Sequence, residues 1–383
     1  MEALEDYNII LINLDGLRFD KLDLCPTLKS LKEDSYFFSN MHTVAPYTFA
    51  SLHAIFSGMY PSRNGVNGYY NIFKFKNAEI TSLSSFLQQS GYYTCCDIID
   101  ESVIPRQGFS EYRIFDEKTV DFEKRHKDLI KEITEKRKKF FMFLHYTETH
   151  KHLVREIVEK YNLQSNDDEY FNSREENEKR FNSYLPHCDK YIHTILETLN
   201  EIKIANKTIL IIFSDHGMSL GEKKGEKFYG VYTYDYTIKV FCIVKIPQIN
   251  KKIIEKQCRT IDLFPTICEI AGLDVGKIEK IQGQSILDFI RDESLPDREV
   301  FVETGGLYGF WPSPTKPNVF CVKINNKKLI YNDTPCTWEF YDLKDDPEEL
   351  RNIYDQNSDE IRFFKSRLFE YFKENNIKTK INN

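Results

Sequence analysis

Tyr7–Gly16 reads YNIILINLDG. The run is short, nearly continuous in apolar residues and rich in β-branched side chains. Such a run predicts a strand buried on both faces, hence parallel and central in its sheet. It ends in Asp15-Gly16. Open α/β sheets collect ligands just beyond the carboxyl ends of their strands, so a carboxylate there is a candidate site residue. A turn or helix-cap aspartate, which a following glycine permits, is the structural alternative. Lys207–Gly217, KTILIIFSDHG, repeats the arrangement with Asp215 followed by His216. Two such strand ends at one sheet edge would put two carboxylates and an imidazole together, a ligand set suited to a divalent metal. A third buried run, Phe140–His145 (FFMFLH), leads into Tyr146-Thr147-Glu148-Thr149-His150-Lys151-His152, an unusual clustering of histidines after a core strand.

Between the first two strands lies Thr43–Gly65, TVAPYTFASLHAIFSGMYPSRNG. Phe49, Leu52, Ile55 and Phe56 recur at helical spacing, and Gly58 with Pro61 ends the run. Thr48 therefore falls where an N-cap belongs, a position threonine favours by about 1 kcal/mol. A nucleophile aimed at an anion at a helix N-terminus is the functional reading of the same position.

The remaining chain predicts helices at Cys25–Asp34, Ser82–Gln89, Asp116–Lys138, Tyr184–Leu199, Thr260–Ala271 and Glu360–Glu374. Further strands are expected at Tyr36–Met41, Tyr92–Ile99 and Val240–Ile246. Val154–Arg180 is very polar and reads as a surface excursion. After about residue 295 the pattern changes to Glu299–Glu303, Val319–Ile324, Lys328–Tyr331 and Glu339–Leu343, strands without intervening helices, with Asn325-Asn326-Lys327 as turn chemistry. That succession predicts a small antiparallel sheet. The division expected is 1–295 and 296–383.

The chain has 383 residues, 41% of them hydrophobic, enough for a large core. Its net charge of −7 argues against nucleic acid as a partner. Nine cysteines, mostly in apolar runs and without a CxxC pair, predict buried reduced thiols. No 18-residue apolar stretch and no signal-peptide pattern occur, so a cytoplasmic location is expected.

Nine segments in order carry a resemblance. They are ILINLDGLRFD, APYTFASLHAIFSGMYPSRNGV, FMFLHYTETH, HCDKYIHTILETL, IIFSDHGM, YDYTIKVF, TIDLFPTICEIAGL, GQSILDFI and FYDLKDDPEELRNIY. Together they resemble the sulfatase branch of the alkaline phosphatase superfamily over nearly the whole chain. The resemblance implies a doubly wound, mostly parallel α/β sheet flanked by helices, with a C-terminal subdomain on a small antiparallel sheet. It also implies cleavage or transfer of sulfate or phosphate esters at a divalent metal. Carried over by position, Asp15, Asp215 and His216 match metal ligands, Thr48 matches the nucleophile and a further ligand, and His150 matches a substrate-contacting histidine.

The departures shape the expected chemistry. Sulfatases proper carry Cys or Ser at the nucleophile, converted to formylglycine, within C-x-P-S-R. Here the core is Thr48-Phe49-Ala50-Ser51-Leu52, without that precursor and without the arginine. Threonine at this place is similar to the phosphodiesterases, phosphonate hydrolases and phosphoglycerol transferases of the superfamily. A family lysine near YDYTIKVF would fall on Gly230, for which Lys227 or Lys239 is a substitute; Lys227 and Tyr234 are the expected substrate contacts. Two-metal members use a histidine well after the D-H pair, and His216 is the last histidine here. One divalent ion (Mn, Zn, Mg or Ca) is therefore expected, although Glu148 and His152 have spacing like part of a second site. The expectation is a phosphate-type ester hydrolase or transferase acting through Thr48, with His150, or else His145 or His152, protonating the leaving oxygen. The substrate class is a small-molecule, glycan-linked or lipid-linked phosphate or sulfate ester. A sulfuric ester hydrolase without formylglycine and a non-catalytic metal-stabilised binding protein are the alternatives. Asp189 reads as structural.

Overall fold

The computed structural model describes residues 7–137, 139–149, 167–248, 251–278, 280–305 and 316–382. The larger sheet contains β1 (Asn8–Leu14), β2 (Tyr36–His42), β3 (Tyr93–Ile98), β4 (Glu111–Ile114), β5 (Phe140–Tyr146), β6 (Thr208–Phe213), β7 (Lys239–Lys245), β8 (Lys252–Ile254) and β9 (Cys258–Arg259). Its order is β4-β3-β5-β1-β6-β7-β2-β8, with β9 also paired to β2. The strand pairs are parallel except where β7 meets β6 and β2. β1 is central, lying parallel between β5 and β6, and all seven of its residues are buried.

The near-continuous apolar runs have a direct cause. Alternate side chains point to opposite faces of a strand, and here each face meets its own core. Ile10, Ile12, Met142, Leu144, Leu210 and Ile212 enter one core. Ile9, Leu11, Phe141, Phe143, Ile209 and Ile211 enter the other. Helix α1 (Pro26–Glu33) packs on the first face, where Leu28 and Leu31 are buried. Helix α2 (Thr48–Ser57) reaches both: Ala50 joins the first core, Leu52, Ile55 and Phe56 the second. The sequence period predicts one apolar stripe on α2, yet only Phe49 among its residues is not fully buried. Tertiary packing closes over the rest. Gly58 ends it at φ +65°, as a left-handed C-cap should.

The smaller sheet is antiparallel, β10 (Val300–Thr304), β11 (Val319–Ile324), β12 (Lys327–Asn332) and β13 (Thr337–Asp342), in that order. Ile324 pairs with Lys327, so Asn325-Asn326 forms a two-residue hairpin with Asn325 at φ 53°. The Asp359–Glu374 helix lays Phe364, Leu368 and Phe372 on this sheet. The same core contains Val44, Ala54 and Tyr60 from around α2. A backbone hydrogen bond from Glu303 N to Val44 O (3.1 Å) joins the small sheet to the segment leading into Thr48.

Several element boundaries differ from expectation for local reasons. The helix read from Asp116 starts at Phe122, capped by Asp121, because β4 and a turn organised by Asp116 occupy the preceding residues. Thr260–Asp262 is a 3-10 turn before the helix Leu263–Ile270. Of the polar excursion, Asp167–Phe171 and Arg174–Ser183 are helical, and residues 154–166 lie outside the described residues. All nine cysteines are free, eight of them buried.

Candidate functional site

Strand register assembles the site. Asn13 pairs with both His145 on β5 and Phe213 on β6. Two residues beyond Asn13 and Phe213, Asp15 and Asp215 leave adjacent parallel strands at the same level, with His145 alongside. Gly16 takes φ +68°, and its N–H donates to Asp215 Oδ1 at 3.3 Å. Asn13 Oδ1 accepts the Asp215 N–H at 3.1 Å. The strand-end loops are thus tied to each other by backbone groups. Gly217 lets the second loop pass close to the Tyr236 carbonyl, which a Cβ would approach to 2.1 Å.

One ligand atom from each of Asp15, Asp215 and His216 falls within 4.8 Å of the others, and all three residues are buried. Thr48 joins them. Its Oγ1 lies 3.1 Å from His216 Nε2 and 3.4 Å from Asp15 Oδ2. The reading of Thr48 as an N-cap is therefore corrected. Tyr47, extended at φ −158°, holds the N-cap position, and Thr48 is the first helical residue. Its hydroxyl turns to the buried polar cluster instead of to an N–H of its own helix. The next turn is held as well: Ser51 Oγ donates to Asp215 O (2.9 Å) and lies 3.0 Å from Thr43 Oγ1.

His216 Nδ1 lies 2.8 Å from the Gly217 carbonyl, an acceptor only. That contact puts the imidazole proton on Nδ1 and leaves the Nε2 lone pair facing Thr48, the tautomer a metal ligand requires. Tyr229 covers the imidazole face at 4.1 Å between ring centroids. His145 Nε2 lies 2.9 Å from Asp15 Oδ2, an orientation that donates to and steers the carboxylate. Thr149 Oγ1 donates to the Asp15 carbonyl.

The residues fit a cation. Burial pushes the Asp215 carboxyl above its ordinary range, the Asp15 charge pushes it further, and His216 and His145 only partly oppose this. Asp215 Oδ2 has no hydrogen-bond partner although it is shut off from solvent. Two carboxylates at such separation in a low-dielectric site repel unless a positive charge stands between them. A mixed O/N donor set suits Mn, Zn, Mg or Ca.

The other expected site residues divide. His150 and His152 lie outside the described residues. Glu148 is half-buried two residues past the end of β5. Lys227 is half-buried, two residues before Tyr229, and its carbonyl accepts from Tyr170 Oη at 2.6 Å. Tyr234 is not brought to Thr48: its hydroxyl donates to Glu339 Oε2 on β13 (2.7 Å), and its ring packs against Tyr341. Lys239 lies over the Phe19 ring at 4.5 Å. Leu52 is wholly buried in the second core, so nothing polar stands in for the family arginine at that position. Asp189 accepts from Thr27 N (2.7 Å) and Thr27 Oγ1 (2.9 Å), capping the first turn of α1. Sequence reasoning missed Ser51 and Tyr229 and weighed His145 only as a proton donor. A histidine closing a core strand was the available signal for His145; nothing local marks the other two.

Residues 7–273 match the family described as Sulfatase, and residues 225–374 that described as N-sulphoglucosamine sulphohydrolase, C-terminal. An N-acetylglucosamine-6-O-sulfatase of Bacteroides thetaiotaomicron is 28% identical over 173 residues, 43% of this chain and 30% of that protein. Human arylsulfatase K is 25% identical over 170 residues, 43% of this chain and 31% of that protein. The matched stretch thus spans about 30% of these relatives' length. Among solved structures, BT4656 in complex with its substrate D-glucosamine-2-N,6-O-disulfate superposes with a TM-score of 0.77 at 17% identity, covering 97% of this chain and 98% of that one. The phosphonate monoester hydrolase of Agrobacterium radiobacter gives 0.76 at 14% identity, covering 96% of each chain. These likenesses establish the shared fold. Among the described residues no helix is long and apolar enough to cross a membrane.

Proposed function

Because the chain belongs to the sulfatase family, we propose that it hydrolyses an ester of a tetrahedral oxyacid at one divalent metal, with Thr48 as nucleophile and a phosphate-type group (phosphodiester, phosphomonoester or phosphonate) as the one transferred. The observation that carries the reading is the placement of Thr48 Oγ1 among Asp15, Asp215 and His216. Asp15, Asp215 and His216 would hold the ion. A bound divalent cation supplies positive charge that lowers the pKa of a neighbouring hydroxyl and offsets charge on the oxyanion.

This chain's residues do the rest. α2 opens at Thr48, so its first N–H groups and its dipole face the same space as the hydroxyl and favour an anion there. Attack forms an Oγ1–P bond and breaks the bond to the leaving oxygen. The proton lost from Oγ1 is balanced by one taken up at the leaving oxygen, the role proposed for His150. Water, or an alcohol in a transferase, then cleaves the phosphothreonine and restores the hydroxyl. His145, bonded to Asp15, fits an orienting role better than that of proton donor to the leaving group.

Sulfate esters are the second reading, and the sulfatase names of the relatives weigh towards it. Against it stands the residue itself: threonine lacks the route to the formylglycine aldehyde. The test is turnover by metal-loaded protein of bis(4-nitrophenyl) phosphate, 4-nitrophenyl phosphate, 4-nitrophenyl phenylphosphonate and 4-nitrophenyl sulfate, with Thr48→Ala and Thr48→Ser in parallel. The expected result is turnover of a phosphorus ester, a loss of at least ~10³-fold in Thr48→Ala, and partial retention in Thr48→Ser. Turnover of the sulfate alone establishes the second reading. Undiminished activity in Thr48→Ala removes the nucleophile. Metal binding without turnover of any ester returns the chain to a metal-stabilised binding role.

A further inference from the structure

Tyr229, which covers the His216 imidazole, lies within a closed turn, and Glu226 spans the mouth of that turn. Glu226 is wholly buried and makes no ion pair among the described residues. Its Oε1 accepts the N–H groups of Val231 and Tyr232, both at 2.9 Å, and its Oε2 accepts the Tyr236 hydroxyl at 2.6 Å. Gly230, at φ +86°, turns the chain back between Tyr229 and those donors. The incoming limb is held as well: Ser219 Oγ donates to Glu226 O at 2.8 Å, and Ser219 N donates to Phe228 O.

The turn meets the strand-end loop of Asp215 and His216 at two places. Tyr229 lies on the His216 ring, 4.1 Å between centroids. Tyr236, whose hydroxyl is bonded to Glu226, flanks the passage of Gly217: a Cβ there would come within 2.1 Å of Tyr236 O, and Gly217 N donates to Thr237 O at 2.7 Å. His216 Nε2, directed by its neighbours, stands 3.6 Å from Asp15 Oδ1 and 3.7 Å from Asp215 Oδ2.

Residue chemistry explains why a carboxylate occupies position 226. A buried charge without a cation is costly unless hydrogen bonds fill its lone pairs. An apolar side chain would avoid that cost and leave three buried donors unmet. An amide offers one oxygen and turns a donor of its own towards the third. A carboxylate accepts all three at once, so the closed turn and the charge belong together.

We infer that Glu226 is a positioning residue of the metal centre: by closing the 226–236 turn it presses Tyr229 onto His216 and so fixes the imidazole with Nε2 towards Asp15, Asp215 and Thr48. The inference rests on the reading of Asp15, Asp215 and His216 as metal ligands, and not on which ester is cleaved.

The test is binding of Mn, Zn, Mg and Ca, each alone, to the EDTA-stripped full chain by calorimetry at one pH. It compares wild type, Glu226→Gln, Glu226→Ala, Tyr229→Ala and the two double variants, with circular dichroism to confirm folding. For the ion that wild type binds best, affinity is expected to fall about 3-fold in Glu226→Gln and about 10-fold in Glu226→Ala and in Tyr229→Ala. Because Glu226 acts through Tyr229, either change at 226 is expected to cost less than about 1.5-fold once residue 229 is alanine. A general loosening of the fold would cost the same in both backgrounds, and that result overturns the inference. Unchanged affinity in Glu226→Gln overturns it too, so the test holds even where Glu226→Ala does not fold. Wild type that binds none of the four ions overturns the metal reading and the inference with it. Affinities that follow the expected cycle, with no ester turned over by any form, uphold Glu226 and overturn the hydrolase.

Discussion

Asp215→Asn separates the two things Asp215 does. Its Oδ1 accepts from the N–H groups of Gly16 (3.3 Å) and His216 (3.1 Å), and an amide oxygen can keep both. Its Oδ2 is buried without a partner, and the Asp15 charge is close by. In protein stripped with EDTA the carboxylate is thus a burden. Replacing it removes a repulsion and turns the orphaned acceptor into an N–H donor beside the Asp15 charge, a gain of about 1 kcal/mol. With unfolding entropy near 2.1 cal/mol/K per residue, 383 residues give about 0.8 kcal/mol/K, so the stripped variant melts ~1 °C above stripped wild type. Metal reverses the order. An ion at 100 times its Kd stabilises wild type by about 2.7 kcal/mol, or ~3 °C, and the variant by far less. The pH dependence has a definite sign. The folded-state pKa of Asp215 is raised, so stripped wild type loses stability as pH rises from the unfolded aspartate value through the folded one; the variant lacks this contribution, and bound metal abolishes it. The assay is differential scanning fluorimetry from pH 4 to 8 with EDTA, Mn, Zn, Mg and Ca, with elemental analysis of dialysed protein. Equal metal-induced shifts in both proteins would refute Asp215 as a ligand. A stripped variant several degrees less stable than wild type would refute the repulsion argument.

His145→Gln should lower metal affinity roughly 10- to 100-fold through the lost restraint on Asp15, with kcat recovering at saturating metal; a metal titration of turnover checks it, and an unrecovered kcat would reassign His145 to the chemistry. Glu226 and Glu303 are both buried, and burial raises each carboxyl to about 7 against the hydrogen bonds it accepts, from Tyr236, Tyr232 and Val231 for Glu226 and from Ser62 for Glu303. Each group's contribution favours folding below its unfolded pKa and is lost as pH climbs towards 7, at most roughly 3 kcal/mol apiece. Urea midpoints of Glu226→Gln/Glu303→Gln should therefore fall less between pH 5 and pH 8 than those of wild type; parallel curves would contradict this.

What the sequence determined by itself is what local period and residue chemistry can carry. YNIILINL and TILIIF admit no solvated face, so they had to become inner strands, and their ends had to open at a sheet edge. Asp15, Asp215 and His216 follow those strands directly, so their meeting was legible once both strands were placed side by side. Thr48 was legible as a helix start, and its hydroxyl was not. Whether it caps α2 or faces Asp15 and His216 depends on how far α2 slides along the sheet edge, which the packing of Ala50 on one core, Leu52 and Phe56 on another and Ala54 on the C-terminal core decides together. Ser51, on the same helix, became a site residue for the same reason. Tyr234 shows the opposite outcome: beside a site motif in sequence, its hydroxyl is taken by Glu339, more than a hundred residues away, because the small sheet packs there. A chain of local preferences cannot encode such distances, since hydrogen-bond partners from remote strands exist only after the two sheets have closed on α2.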